Sequence, residues 1–106
     1  MKRGEVYWAD LPFGHGRRPI IVVTRDAVIP VRSRVTVAPV TRTIRGIRAE
    51  VPVGSDEGLP ADSAVNVDEL LTVAIKAIDP DPVGALGPVK IRELEAAIHY
   101  AFDLRH

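Results

Sequence analysis

A mainly β domain closed by one C-terminal helix is the fold class this sequence predicts, and three observations predict it. Short apolar runs recur through the first three quarters of the chain, separated by Gly, Pro and Asp. Those runs are rich in Val, Ile and Thr, which suit pleated, half-buried backbone. Near the end the apolar spacing changes to a helical period. Many short strands with close turns fit a compact barrel or two packed sheets. One amphipathic helix then suffices to cover the apolar face that remains.

The elements follow in order. Val6-Tyr7-Trp8-Ala9 reads as a first strand, with Trp8 as a core residue. Residues 19–24 form a β-branched run that reads as a buried strand, and residues 34–40 alternate Val or Ala with other residues as a third. Residues 49–53 give a fourth strand at a sheet edge, because Pro52 cannot donate to a ladder. Residues 63–67 and 71–75 complete the strands. Turn chemistry lies between them at Phe13-Gly14-His15-Gly16, Arg45-Gly46 and residues 54–58. Ile91, Leu94, Ala97, Ile98, Ala101 and Phe102 fall on one helical stripe, and Pro88 after Gly87 suits a helix start. The predicted helix has about four turns, with Lys90, Arg92, Glu93 and Glu95 on its exposed side.

The 106 residues fit one domain spanning 1–106. A 46% hydrophobic and 26% charged composition predicts a folded core rather than disorder. A core this small gains from a dimer interface. With no cysteine, disulfides and thiolate zinc sites are excluded. His15, His99 and His106 are too scattered for a His-rich metal site, and no metal or other cofactor is expected. The first residues lack a signal-peptide stretch, and no apolar run is long enough to span a membrane. A cytoplasmic location is the expectation.

Zero net charge hides an asymmetry. Residues 1–48 hold ten cations and three acids, and residues 49–106 hold four cations and eleven acids. The basic half invites an anionic partner, unless the fold mixes the two halves and averages the field.

Several chemistries lack their residues. There is no phosphate-binding Gly loop, nucleophile elbow or zinc-protease motif. Asp68 and Glu69 are adjacent, so on a strand they point to opposite faces. Two segments remain. In Gly14-His15-Gly16-Arg17-Arg18-Pro19, glycines permit close backbone approach and a guanidinium fork can clamp a phosphate. In Val40-Thr41-Arg42-Thr43-Ile44-Arg45, hydroxyls alternate with cations.

The ordered combination resembles a known family. Lys2-Arg3-Gly4-Glu5-Val6-Tyr7-Trp8-Ala9-Asp10-Leu11, Arg18-Pro19-Ile20-Ile21-Val22-Val23, Val37-Ala38-Pro39-Val40-Thr41 and Asp62-Ser63-Ala64-Val65-Asn66-Val67-Asp68-Glu69-Leu70 resemble, in sequence order, segments of the MazF/PemK toxins of bacterial toxin–antitoxin pairs. The likeness spans nearly the whole chain. It implies a dimeric SH3-like β-barrel with a terminal helix that cleaves single-stranded RNA without a metal. It also implies a cognate antitoxin whose acidic tail covers the basic groove. By position, Arg18 and Thr41 are the implied catalytic pair. One feature departs from the family pattern: the loop before Arg18 is short and carries no acid.

On this reading the 2′-hydroxyl of RNA is the nucleophile, and the products are a 2′,3′-cyclic phosphate and a 5′-hydroxyl end. Arg18 stabilises charge rather than acting as a base, given its very high pKa. Thr41 orients the phosphate or sugar. His15 is the candidate for general acid–base work. Arg17, Arg42, Thr43 and Arg45 are candidate phosphate or base contacts, and Phe13 is a candidate stacking platform. Two rivals are a CcdB-like gyrase-binding toxin and a non-catalytic SH3-like RNA-binding module. The first suits a chain with a C-terminal Trp, whereas the single Trp here is Trp8.

Overall fold

The computed structural model describes residues 1–104; the expectation for His106 lies outside them. Seven strands form one twisted, curled sheet: β1 (Glu5–Leu11), β2 (Gly16–Val22), β3 (Arg34–Thr41), β4 (Glu50–Val53), β5 (Ser63–Asn66), β6 (Leu71–Ala74) and β7 (Gly84–Ala85). The helix α1 (Pro88–Ala101) follows. The sheet order is β4-β5-β3-β2-β1-β7, with β6 also paired to β3. This is the mainly β architecture with one terminal helix that the sequence predicts.

Strand β3 organises the sheet. Its first half pairs with β6, from Arg34↔Ala74 to Val37↔Leu71. Its second half pairs with β5 through Val40↔Val65 and Thr41↔Ala64. On its other side it pairs with β2 through Ile20↔Pro39, Ile21↔Ala38 and Val22↔Val37. That ladder stops at Pro39, which has no N–H to donate. Strand β4 lies at an edge, as Pro52 requires.

The two faces of the sheet carry separate cores. One face presents Val6, Ile21, Ala38, Val40, Val51, Val53 and Val65 to Leu94 and Ala97 of α1. The opposite face gathers Tyr7, Ala9, Leu11, Ile20, Val22, Val35, Val37 and Val73 where the sheet curls on itself. Helical spacing places Leu94 and Ala97 inward, with Ile91, Ile98 and Ala101 beside them. Phe102 departs from the expected stripe: it follows the last helical residue and is exposed. Trp8 is half-buried rather than core, because its face of β1 pairs with Pro19 and lies near Arg17.

The segment before β7 crosses the 55–58 turn at backbone distance. A Cβ at Gly58 would lie 2.0 Å from the Val83 carbonyl oxygen, and one at Gly84 would lie 2.1 Å from that of Glu57. Gly58 also has φ +85°. No side chain fits this crossing without moving backbone. Gly84→Ala is therefore expected to destabilise the fold by at least ~2 kcal/mol, read as a fall in denaturation midpoint. Gly14→Ala, whose Cβ would meet nothing within 4 Å, is expected to cost clearly less.

Candidate active site

The register of β3 brings the two implied catalytic side chains together. Pairing partners in an antiparallel ladder share a face, and side chains alternate with a period of two. Continued two residues past Ile20↔Pro39, the register sets Arg18 opposite Thr41, on the face turned away from α1. Strand β2 begins at Gly16, earlier than the sequence reading of residue 19, so Arg18 stands on a strand and not in a loop. On the far side of β3, Asn66 pairs with Glu50 and shares the same face.

These residues line one cleft of about 160 Å³ together with His15, Pro39, Thr43, Arg45 and Glu69. Arg18 is half-buried, and its Nε is the one buried side-chain polar atom without a partner among the described residues. An orphan donor of this kind costs roughly 1–3 kcal/mol unless a ligand oxygen meets it. The Thr41 Oγ1 accepts the Thr43 N–H at 3.1 Å, which leaves its own proton to donate.

His15 reaches the cleft from the β1–β2 turn, where its N–H bonds the Pro12 carbonyl at 3.2 Å. Phe13, Gly14 and Gly16 all have positive φ in this turn. The His15 Nε2 lies 3.8 Å from the Glu69 carboxylate. Glu69 arrives by a route the sequence reading missed. Residues 67–69 form a tight turn rather than strand, capped by Asn66, whose Oδ1 accepts the Asp68 N–H at 3.0 Å. The two adjacent acids still diverge: Glu69 lines the cleft, and Asp68 lines a depression beside the end of α1. A carboxylate thus reaches the cleft from the β5–β6 turn rather than from the short loop.

Of the contacts expected from sequence, the structure gathers His15, Arg18, Thr41, Thr43 and Arg45. Arg42 and Phe13 do not line the cleft, and Phe13 is 90% exposed. Arg17 points to the other face, opposite Asp10. Its guanidinium grips both carboxylate oxygens of Asp79 and bonds Asp10 at 3.3 Å. Those hydrogen bonds raise the Arg17 pKa and lower that of Asp79. Asn66, Glu50 and Glu69 are the cleft residues that sequence reasoning missed. Asn66 had one available signal, since Asn before a turn is a common cap.

Residues 2–102 match the PemK-like, MazF-like toxin family of type II toxin–antitoxin systems. The chain belongs to this family. Among relatives, the probable endoribonuclease MazF5 of Mycobacterium tuberculosis is 42% identical over 95% of this chain and 92% of its own length. The structure of the Mycobacterium tuberculosis toxin MazF-mt6 superposes with a TM-score of 0.89 at 35% identity, covering 96% of this chain and 99% of that one. An endoribonuclease in complex with its cognate antitoxin, from a mycobacterial species, superposes at 0.87 with 27% identity, covering 100% and 98%.

Arg17 offers a control for this MazF-like cleft. Arg17→Ala is expected to leave any RNA cleavage within about two-fold while changing acid stability. The lowered Asp79 pKa contributes stability above the ordinary carboxylate range, and that contribution is lost as pH falls through the depressed value. In the variant, the acid-side fall in melting temperature is expected to be shallower, measured by thermal denaturation from neutral pH downward.

Proposed function

We propose that this chain is an endoribonuclease toxin that cleaves single-stranded RNA at short sequences without a metal ion. The carrying observation is the unpartnered, buried Arg18 Nε in a cleft shared with Thr41 and His15. Relatives named endoribonucleases support the same reading.

The chemistry follows from what the substrate brings. The RNA 2′-oxygen attacks the adjacent phosphorus, the bond from phosphorus to the 5′-oxygen breaks, and a 2′,3′-cyclic phosphate remains. Charge grows on the non-bridging oxygens, where the Arg18 fork and the Thr41 hydroxyl donate. His15 takes the 2′-hydroxyl proton and returns one to the leaving 5′-oxygen, and the Glu69 carboxylate at 3.8 Å steadies the charged imidazole. Strand-held Arg18 and Thr41 need little reorganisation during this step, which favours rate. Bases beside the cut are read as unstacked edges, with Asn66 and Thr43 at hand.

The partners follow from the same surfaces. A homodimer is proposed because Tyr100, Phe102 and Leu104 leave apolar surface exposed at the end of α1. A cognate antitoxin is proposed on family grounds, with a mycobacterial relative solved in such a complex. No helix of the described residues is long and apolar enough to cross a membrane, and the proposed site of action is the cytoplasm.

Purified protein incubated with a long RNA in EDTA is expected to give discrete fragments with 5′-hydroxyl and 2′,3′-cyclic phosphate ends. Arg18→Ala and Thr41→Ala are each expected to lower the rate by at least about 10³-fold with an unchanged melting temperature. His15→Ala is expected to lower it by about 10²-fold. Near-normal cleavage by Arg18→Ala and Thr41→Ala would remove the site assignment. Complete loss of wild-type cleavage in EDTA, restored by a divalent ion, would remove the metal-free mechanism.

The dimer has its own check. Phe102→Glu is expected to shift wild-type dimer toward monomer in sedimentation at micromolar concentration. An unchanged dimer would place the interface elsewhere.

A further inference from the structure

Glu50 stands in the cleft without an evident chemical duty. A carboxylate there repels a phosphate, so its presence calls for a compensating role. The hydrogen bonds supply one. The Glu50 Oε1 accepts the backbone N–H groups of Arg45 and Gly46, each at 3.0 Å. Two successive amides converge on this one oxygen, and Gly46 then takes φ +69°, a left-handed conformation that glycine adopts without strain. The result is a charge-assisted clasp between the first residue of β4 and the middle of the loop that joins β3 to β4.

That loop has few other ties. Residues 42–48 are exposed and contain no regular helix or strand. At the near end the Thr43 N–H bonds the Thr41 hydroxyl, and at the far end the Glu50 N–H bonds the Ile47 carbonyl at 3.0 Å. Between these points the Glu50 carboxylate holds the one stretch that carries Arg45 to the cleft. Arg45 has no carboxylate partner for its own guanidinium among the ion pairs of the described residues.

We propose that Glu50 is a positioning residue: its carboxylate clasps the Arg45–Gly46 backbone and so aims the Arg45 guanidinium at a non-reacting phosphate of bound RNA. This rests on the reading of the cleft as an RNA site and adds a division of labour to it. Arg18, mounted on β2, serves the reacting phosphate. Arg45, mounted on a clasped loop, serves an RNA phosphate outside the reaction centre and sets affinity. Clasp and cation then form a unit, so removing the clasp is equivalent to releasing the cation.

The experiment is a mutant cycle on the full chain, read by initial cleavage rates of a short fluorescent RNA. Glu50→Ala and Arg45→Ala are each expected to raise KM about ten-fold with kcat within two-fold. The double variant is expected to be no worse than Arg45→Ala alone. Glu50→Gln, which keeps an oxygen acceptor, is expected to recover most of the affinity. Gly46→Ala, which strains the positive φ without touching the carboxylate, is expected to reproduce the loss. Melting temperatures identify any variant that fails to fold, and the Gly46 route then carries the test. Additive effects in the cycle would overturn the clasp, as would a fall in kcat at constant KM or a normal KM in both Glu50→Ala and Gly46→Ala. These outcomes are separable from failure of the site itself, which is read from Arg18→Ala alone.

Discussion

The antiparallel register between β2 and β3 is the constraint on which the site depends. Ile20↔Pro39, Ile21↔Ala38 and Val22↔Val37 are fixed by apolar burial on both faces. Ile21, Ala38 and Val40 must face α1, and Ile20, Val22 and Val37 must face the curled interior. A slip of one residue would exchange these faces and turn Arg18 toward the helix. The apolar core therefore aligns a cation and a hydroxyl 23 positions apart in the chain. Pro39 has a related role. It ends the β2 ladder where the cleft opens, so Arg18 and Thr41 face each other without strand hydrogen bonds between their backbones.

Charge is arranged to match. The basic first half and acidic second half of the sequence do not form separate surfaces. Arg3 meets Glu95, Arg17 meets Asp79, and His15 meets Glu69, each across the two halves. Arg3 and Arg17 are engaged by these pairs, while Arg18 and Arg45 have no ion-pair partner among the described residues. The two cleft carboxylates are also engaged: Glu50 by backbone amides and Glu69 by the imidazole. The cleft therefore carries two carboxylates without a large uncompensated negative field.

The legible and illegible parts of the sequence divide along the same physical line. Strand runs such as 19–24 and the helical stripe were readable because burial imposes a period. Arg18 and Thr41 were readable from the order of four segments, although their meeting depends on a register that periodicity alone does not give. Arg17 and Arg18 could not be separated by composition, since the register of β2 against β3 decides which of the two faces the cleft. Glu69 was not legible because the pattern ends a strand at residue 67 and says nothing of residues 68–70, where Asn66 caps a turn. Strand β7 was missed because its two residues carry no periodic signal; it is set by the Gly58–Gly84 crossing.

The cleft thus has two kinds of wall. Arg18, Thr41 and Asn66 stand on strands whose side-chain directions are fixed by ladders and core packing. His15, Arg45 and Glu69 come from turns held by a few local bonds, at the Pro12 carbonyl, the Glu50 carboxylate and the Asn66 side-chain oxygen. A charge stabiliser in phosphoryl transfer, the role proposed for Arg18, must be placed within a fraction of an ångström, which rigid elements provide. Base and backbone recognition tolerates, and benefits from, parts that can be exchanged. A change in the 12–15 or 42–48 loop can therefore reshape the cleft while leaving the register of β2 and β3 untouched. The short loop carrying His15 belongs to this second wall, and Glu69 reaches its imidazole from a different turn.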